Sequence, residues 1–289
     1  RTRGVVKSPV PCQARRGGRG GPPRKDHLYV WEAPYAAGSA KSVLESNNRI
    51  GDVLFSEDGQ LVFAAENTNG QGYVYATYLS EPTKHYTISR IRGINASVGG
   101  GGGRFGGGGG GGRGGTGADS ITFYRNPGTL MSKPGKMAAE VALLSSDGKF
   151  AYLSGTQYFK SYADSAPRPF VDKIEIKTGQ TSRIFQSGAD VFERVTAPLD
   201  DDFSRAIVVR ESPSMVPDSY LRDMKAGSVT KLTSNKDYAP EITQAMRKRI
   251  PVTRADGYRF WVDLTLPRDY KEGTRLPAFF WFYPYEYTD

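Results

Sequence analysis

Cysteine and histidine, the side chains whose nucleophilic, proton-transfer and metal-binding chemistry is most readily tuned near neutral pH, are few in these 289 residues: one cysteine, Cys12, and two histidines, His27 and His85. A lone cysteine makes neither an internal disulfide nor a zinc set, and it leaves the redox compartment open. A serine hydrolase carries its nucleophile on a Gly-x-Ser-x-Gly elbow, and no such stretch occurs here. Each histidine reads as an ordinary surface or strand residue. Glycine could offer bare backbone amides to a phosphate, and residues 97–119, SVGGGGGRFGGGGGGGRGGTGAD, are almost pure glycine. Polyglycine satisfies any glycine pattern, however, so its formal match to G-x-G-x-x-G is uninformative. A weaker echo, ARRGGRGGPPRK, lies at residues 14–25. Arg-Gly-Gly runs suit RNA-binding tails, but such binding needs many arginines and stacking aromatics. The tract supplies only Arg104, Phe105 and Arg113.

Charge points the same way. The formal net charge is +9, which at first favours a polyanionic partner. Residues 1–25 hold Arg1, Arg3, Lys7, Arg15, Arg16, Arg19, Arg24 and Lys25 with no acid, so the rest of the chain is close to neutral. The body is no basic platform, which disfavours nucleic acid as the partner. No apolar run approaches transmembrane length, and residues 1–25 lack the apolar core of a signal peptide.

The elements that must position any site are β-strands. Aromatics make up 12% of the chain, with 17 tyrosines, as suits half-buried strands. VLFSEDGQLVFAAENTNGQGYVYATYL (53–79) reads as two hairpins, turning at Asp58-Gly59 and Asn69-Gly70. Asp-Gly and Asn-Gly supply the positive φ of tight hairpins. FSEDGQLVFAAE (55–66) returns position for position as LSSDGKFAYLSG (144–155), and PLDDDFSRAIVVRES (198–212) is a degraded third copy. Second hairpins follow, turning at Thr178-Gly179 and Ala226-Gly227. Recurring four-stranded units of this size are the mark of a β-propeller. The glycine tract falls between units and reads as a flexible loop on a propeller face.

The texture changes after Thr233. Residues 240–247 have a short helical look, and RFWVDLTLP (259–267) places Phe260, Val262, Leu264 and Leu266 on one face. PAFFWFY (277–283) is a continuous apolar run, expected to be a strand buried on both faces, as in the interior of an α/β sheet. A strand of that kind with nothing to cover it makes the chain read as a fragment that stops just inside a second domain.

These residues carry a family resemblance. Leu232-Thr233, Asp256-Gly257, Leu264-Thr265-Leu266-Pro267 and Leu276-Pro277 through Tyr283 resemble the junction between propeller and catalytic domain in the prolyl oligopeptidase family of serine peptidases. Phe280-Trp281-Phe282-Tyr283-Pro284 with Tyr287 is closer to the glutamyl endopeptidase branch, as is Arg210-Glu211-Ser212 with Pro217-Asp218. The detailed match covers about residues 205–289.

The resemblance implies a mainly β fold: a partial β-propeller followed by the first strands of an α/β-hydrolase domain. The boundaries it suggests are a basic arm or inter-blade loop at 1–25 and blades at 26–234, with the glycine-rich loop at 97–118. A connection follows at 235–257, then the hydrolase start at 258–289. Residues 26–234 have room for about four blades, fewer than the family has. The family's Ser-Asp-His triad lies beyond this chain, so the chain alone is expected to be inactive. Tyr283 corresponds to the tyrosine that donates its hydroxyl to the oxyanion, although Pro284-Tyr285-Glu286 replaces the usual glycines after it. Glutamyl specificity would call for a cation, with Arg194, Arg205, Arg210 and Arg222 as candidates and Arg210 foremost, since it interrupts an apolar strand. Its plainer role is pairing with Glu211 or another nearby acid. No cofactor and no metal are implied, and the partner is a peptide or unfolded protein. The rival is a non-catalytic propeller that binds protein or RNA through its Gly/Arg-rich loops. Compartment (periplasmic or secreted, or cytoplasmic), oligomeric state and cleavage specificity stay open.

Overall fold

The computed structural model describes residues 3–7, 25–36, 38–68, 71–92, 96, 98–100, 126–136, 139–159 and 166–281. The glycine tract from residue 101, most of the basic arm, the turn at Asn69-Gly70, and Tyr283 lie outside the described residues.

Alternating apolar residues and Gly-containing turns give four successive β units. The first is β1 (Arg3–Lys7), β2 (Asp26–Glu32) and β3 (Lys41–Ser46), so part of the basic arm pairs as a strand. The second is the meander β4 (Arg49–Phe55), β5 (Leu61–Thr68), β6 (Gln71–Tyr78) and β7 (His85–Arg92). The third comprises β8 (Val98–Gly100), β9 (Thr129–Pro134), β10 (Glu140–Ala142), β11 (Phe150–Gln157), β12 (Arg168–Glu175) and β13 (Thr181–Gln186). The fourth is β14 (Phe192–Pro198), β15 (Arg205–Ser212), β16 (Met215–Asp223) and β17 (Val229–Lys231). The second and third units touch through a parallel pairing of Val141 in β10 with Phe55 in β4.

Among the described residues, three apolar clusters fill the seams between these units. Side chains on a strand alternate faces, and β5 shows it. Leu61, Phe63 and Ala65 join a cluster with Leu130, Ala151 and Leu153 of blade three, while Val62 and Ala64 join Leu28, Val43 and Leu44 of blade one. β11 divides likewise: Ala151 and Leu153 face blade two, and Tyr152 faces Val195, Phe203 and Val208 of blade four.

The repeated phrase folds the same way each time. Ser56 Oγ donates to Asp58 Oδ1 at 2.5 Å and accepts from the Leu61 amide at 3.0 Å. Ser145 Oγ donates to Asp147 Oδ1 at 2.6 Å and accepts from the Phe150 amide at 3.0 Å. Gly59 and Gly148 follow with φ of 65° and 68°, where a Cβ would be strained. In the third copy Asp200 takes the serine's position and accepts from the Ser204 and Arg205 amides. Phe203 takes the glycine's position at φ 57°, held by burial against Tyr152.

After blade four come a single helical turn, α1 (Pro240–Thr243), and a two-stranded hairpin, β18 (Met246–Thr253) with β19 (Arg259–Leu266). The hairpin straddles residue 257, so Met246–Thr253 of the segment read as a connection forms one strand of a pair. The apolar run differs from expectation: residues 277–281 form no strand, and Phe279, Phe280 and Trp281 are 86%, 72% and 79% exposed. A strand exists only as part of a hydrogen-bonded ladder, and residues 277–281 belong to none.

Packing in β11 sets a sharp limit on volume. A Cβ at Gly155 would lie 2.8 Å from the Phe170 ring and 3.0 Å from Gly128 Cα, whereas at Gly188 it would meet nothing within 4 Å. Gly155→Ala should destabilise by about 1–3 kcal/mol through overpacking and lower the calorimetric Tm by several degrees. Gly188→Ala should leave it nearly unchanged.

Candidate functional site

Arg210 stands in a row of charges across blade four. On β15 it lies opposite Glu193 of β14 on one side and Asp218 of β16 on the other. Directly opposed residues share a face of the sheet, and this face packs on blade three. Glu193 is 4% exposed and Asp218 3%. Burial of two carboxylates demands partners. Arg222 donates to Glu193 at 2.8 Å and stacks over Phe185 at 5.3 Å. Arg210 Nε lies 3.4 Å from Glu193 Oε2, and its guanidinium sits over Tyr220 at 5.2 Å. Asp218 accepts from Lys231 at 2.7 Å, and from Thr233 Oγ1 and the Asn235 amide at 2.8 Å each. Three cations thus surround two carboxylates, and the cluster carries net positive charge.

The other candidates do not gather here. Arg205 is exposed and lends its backbone amide to Asp200. Arg194 is half-buried, next along β14 from Glu193 and so on the opposite face. Arg210 pairs with Glu193 and not with Glu211, whose side chain points the other way along the strand. Glu193 escaped notice in the sequence, and Asp218 stood there only as part of the resemblance, because only the register of β14, β15 and β16 brings both to Arg210. His85 accepts or donates with Thr77 Oγ1 at 2.8 Å, and burial pushes its pKa below the ordinary imidazole value. His27 stacks on Tyr29. Among the described residues, no group of three or more His, Cys, Asp or Glu side chains could hold a metal ion, and no helix is long and apolar enough to cross a membrane.

The second surface is the hairpin. No residue of β18 or β19 is buried, and Tyr258, Phe260, Trp261 and Val262 are all exposed. Arg249 holds Asp263 across it in a two-pronged pair at 2.7 and 3.0 Å, and the carboxyl of Asp263 is lowered by that contact. With Leu276, Phe279, Phe280 and Trp281 also exposed, the chain after blade four displays an apolar surface of the kind that marks contact with another structural unit.

The sequence is 25% identical over 180 residues to a probable chloroplastic glutamyl endopeptidase of Arabidopsis thaliana, covering 57% of this chain and 18% of that protein. The chain resembles the glutamyl endopeptidases of the prolyl oligopeptidase family. It spans about a fifth of the length of that relative. No protein-family model matches. Among solved structures, oligopeptidase B of Trypanosoma brucei aligns with 87% of this chain and 37% of its own at 12% identity and a TM-score of 0.43. A putative dipeptidyl aminopeptidase IV of Bacteroides ovatus aligns with 88% and 39% at 7% identity and a TM-score of 0.41.

Asp218 gives this blade an acid sensitivity. Lys231 first, then the Asn235 amide and the Thr233 hydroxyl, hold its carboxyl down to about 2. A carboxylate titrates near 3.9 in an unfolded chain. The folded form therefore binds fewer protons between these values, and the stabilisation is complete above about pH 4 and lost as pH falls towards 2. Asp218→Asn should lower Tm at pH 6 and flatten the fall in Tm between pH 4 and 2. An acid limb of unchanged steepness in the variant would show that Asp218 does not govern it.

Proposed function

We propose that this chain is the propeller part of a serine peptidase, glutamyl endopeptidase-like, whose Ser-Asp-His triad lies outside these residues. The observation that carries the reading is the match to the Arabidopsis protein. The strand order of successive blades fits it, as does the apolar hairpin after the last blade, where a hydrolase body would cover Phe260 and Trp261. Residues 26–234 would be the blades, 235–257 the return and 258–289 the entry into that body.

In the reaction, the serine oxygen adds to the carbonyl of the substrate and the amine leaves with a proton. Water then hydrolyses the resulting ester. Tyr283 would donate its hydroxyl to the oxyanion formed at each addition, an interaction stronger in the transition state than in the ground state. The substrate is a peptide or unfolded chain, and the net positive cluster around Arg210 is the described group with the charge to meet a substrate carboxylate.

The test uses the whole protein that contains this chain. It should label with a fluorophosphonate and cleave Glu-X peptides in preference to Pro-X, while residues 1–289 alone do neither. Tyr283→Phe should lower kcat by about 10²–10³ with KM little changed. Absence of labelling in the whole protein would return the chain to a non-catalytic propeller.

A further inference from the structure

The inner strand of blade three is made in two pieces. Thr129 and Leu130 pair with Ser154 and Leu153, and Leu144 then pairs with Ala151 further along the same partner. The Leu143 amide donates to Met131 O at 3.0 Å, closing the gap. Residues 132–142 are therefore an excursion, a hairpin of β9 on β10 inserted into an otherwise continuous inner strand. Its tip is tight. The Gly135 amide donates to Ala139 O at 2.8 Å, and a Cβ on Gly135 would lie 2.8 Å from both Ala139 O and Val141 Cγ1.

This hairpin reaches both neighbouring blades. Towards blade two, Val141 pairs with Phe55, and the Lys136 amide donates to Glu57 Oε1 at 3.0 Å. Towards blade four, the Lys133 ammonium pairs with Asp201. Two more groups of blade three hold the same turn. Ser146 donates its amide and hydroxyl to Asp202 at 3.0 and 2.7 Å, and the Tyr152 hydroxyl donates to Asp201 O at 3.0 Å. The run Asp200-Asp201-Asp202 thus divides its work: Asp200 closes its own turn, Asp201 meets the hairpin and Asp202 meets the turn of blade three. Between these turns lies an open cleft of about 300 Å³, lined by Glu57, Lys133, Lys136, Ser146 and Asp201 among others.

We propose that the hairpin 132–142 is an electrostatic strap that fixes blades two, three and four to one another at their turn ends, with Lys133–Asp201 as its releasable link. Deeper in the seam the contact is apolar; at this end it is polar and partly wet, with Lys133 27% and Asp201 46% exposed. An ion pair so exposed is screened by salt. The seam between blades three and four parts first when that pair is screened or removed.

Hydrogen exchange on the whole protein tests this, read on peptides spanning 139–147 and 198–206, with 61–66 of blade two as reference. Lys133→Met and Asp201→Asn should each speed exchange in the two turn peptides about two- to fivefold at low salt. Salt at about 1 M should do the same to the unaltered protein. The reference peptide should barely change, and the swap Lys133→Asp with Asp201→Lys should recover most of the protection at low salt. Unchanged exchange in the single variants, a rise equally large in 61–66, or a swap that recovers nothing would overturn the proposal.

Discussion

A blade of this chain has two apolar faces, and everything else follows from having to cover both. β5 sends Phe63 to one seam and Val62 to the other, and β11 does the same with Leu153 and Tyr152. Neither strand could rest in a sheet with one solvated side, because burying only one face would leave several large side chains in water. Stacking blades side by side solves this. It also leaves function to the blade ends and to whatever follows the last blade, where side chains are free of packing duty.

The turns were legible in the sequence because they rest on local chemistry. Ser56 with Asp58, and Ser145 with Asp147, build the same three-way lock within six residues, and the glycine that follows must adopt positive φ. Local bonds of this kind need no knowledge of the rest of the fold. The third copy reads as degraded only by residue type. Asp200 and Phe203 reproduce the serine and glycine positions by other means, a carboxylate for a hydroxyl and a buried ring that holds an unfavourable φ in place.

Charges were not legible in the same way. Arg210 stood out as a cation in an apolar strand, yet its partner Glu193 is identified only by the register of β14 on β15. Lys133 and Asp201 are further apart in sequence and belong to different blades. Over its described residues, 277–281, the apolar run differs in the opposite sense. Its composition is that of a buried strand, but strand formation is a property of ladders, and these residues join none. Composition reports what a segment would do if covered, while the structure reports whether it is.

Because Met131 and Leu143 are hydrogen-bonded neighbours, the detour between them leaves the flanking pairing with β11 in step. The two stumps already sit at hairpin spacing. A self-closing segment spliced between them keeps the flanking residues in register with β11. That makes this point in blade three a graft site as far as strand register goes: a reporter or binding loop placed there leaves the pairing with β11 in step, while the links to blades two and four travel with Val141 and Lys133.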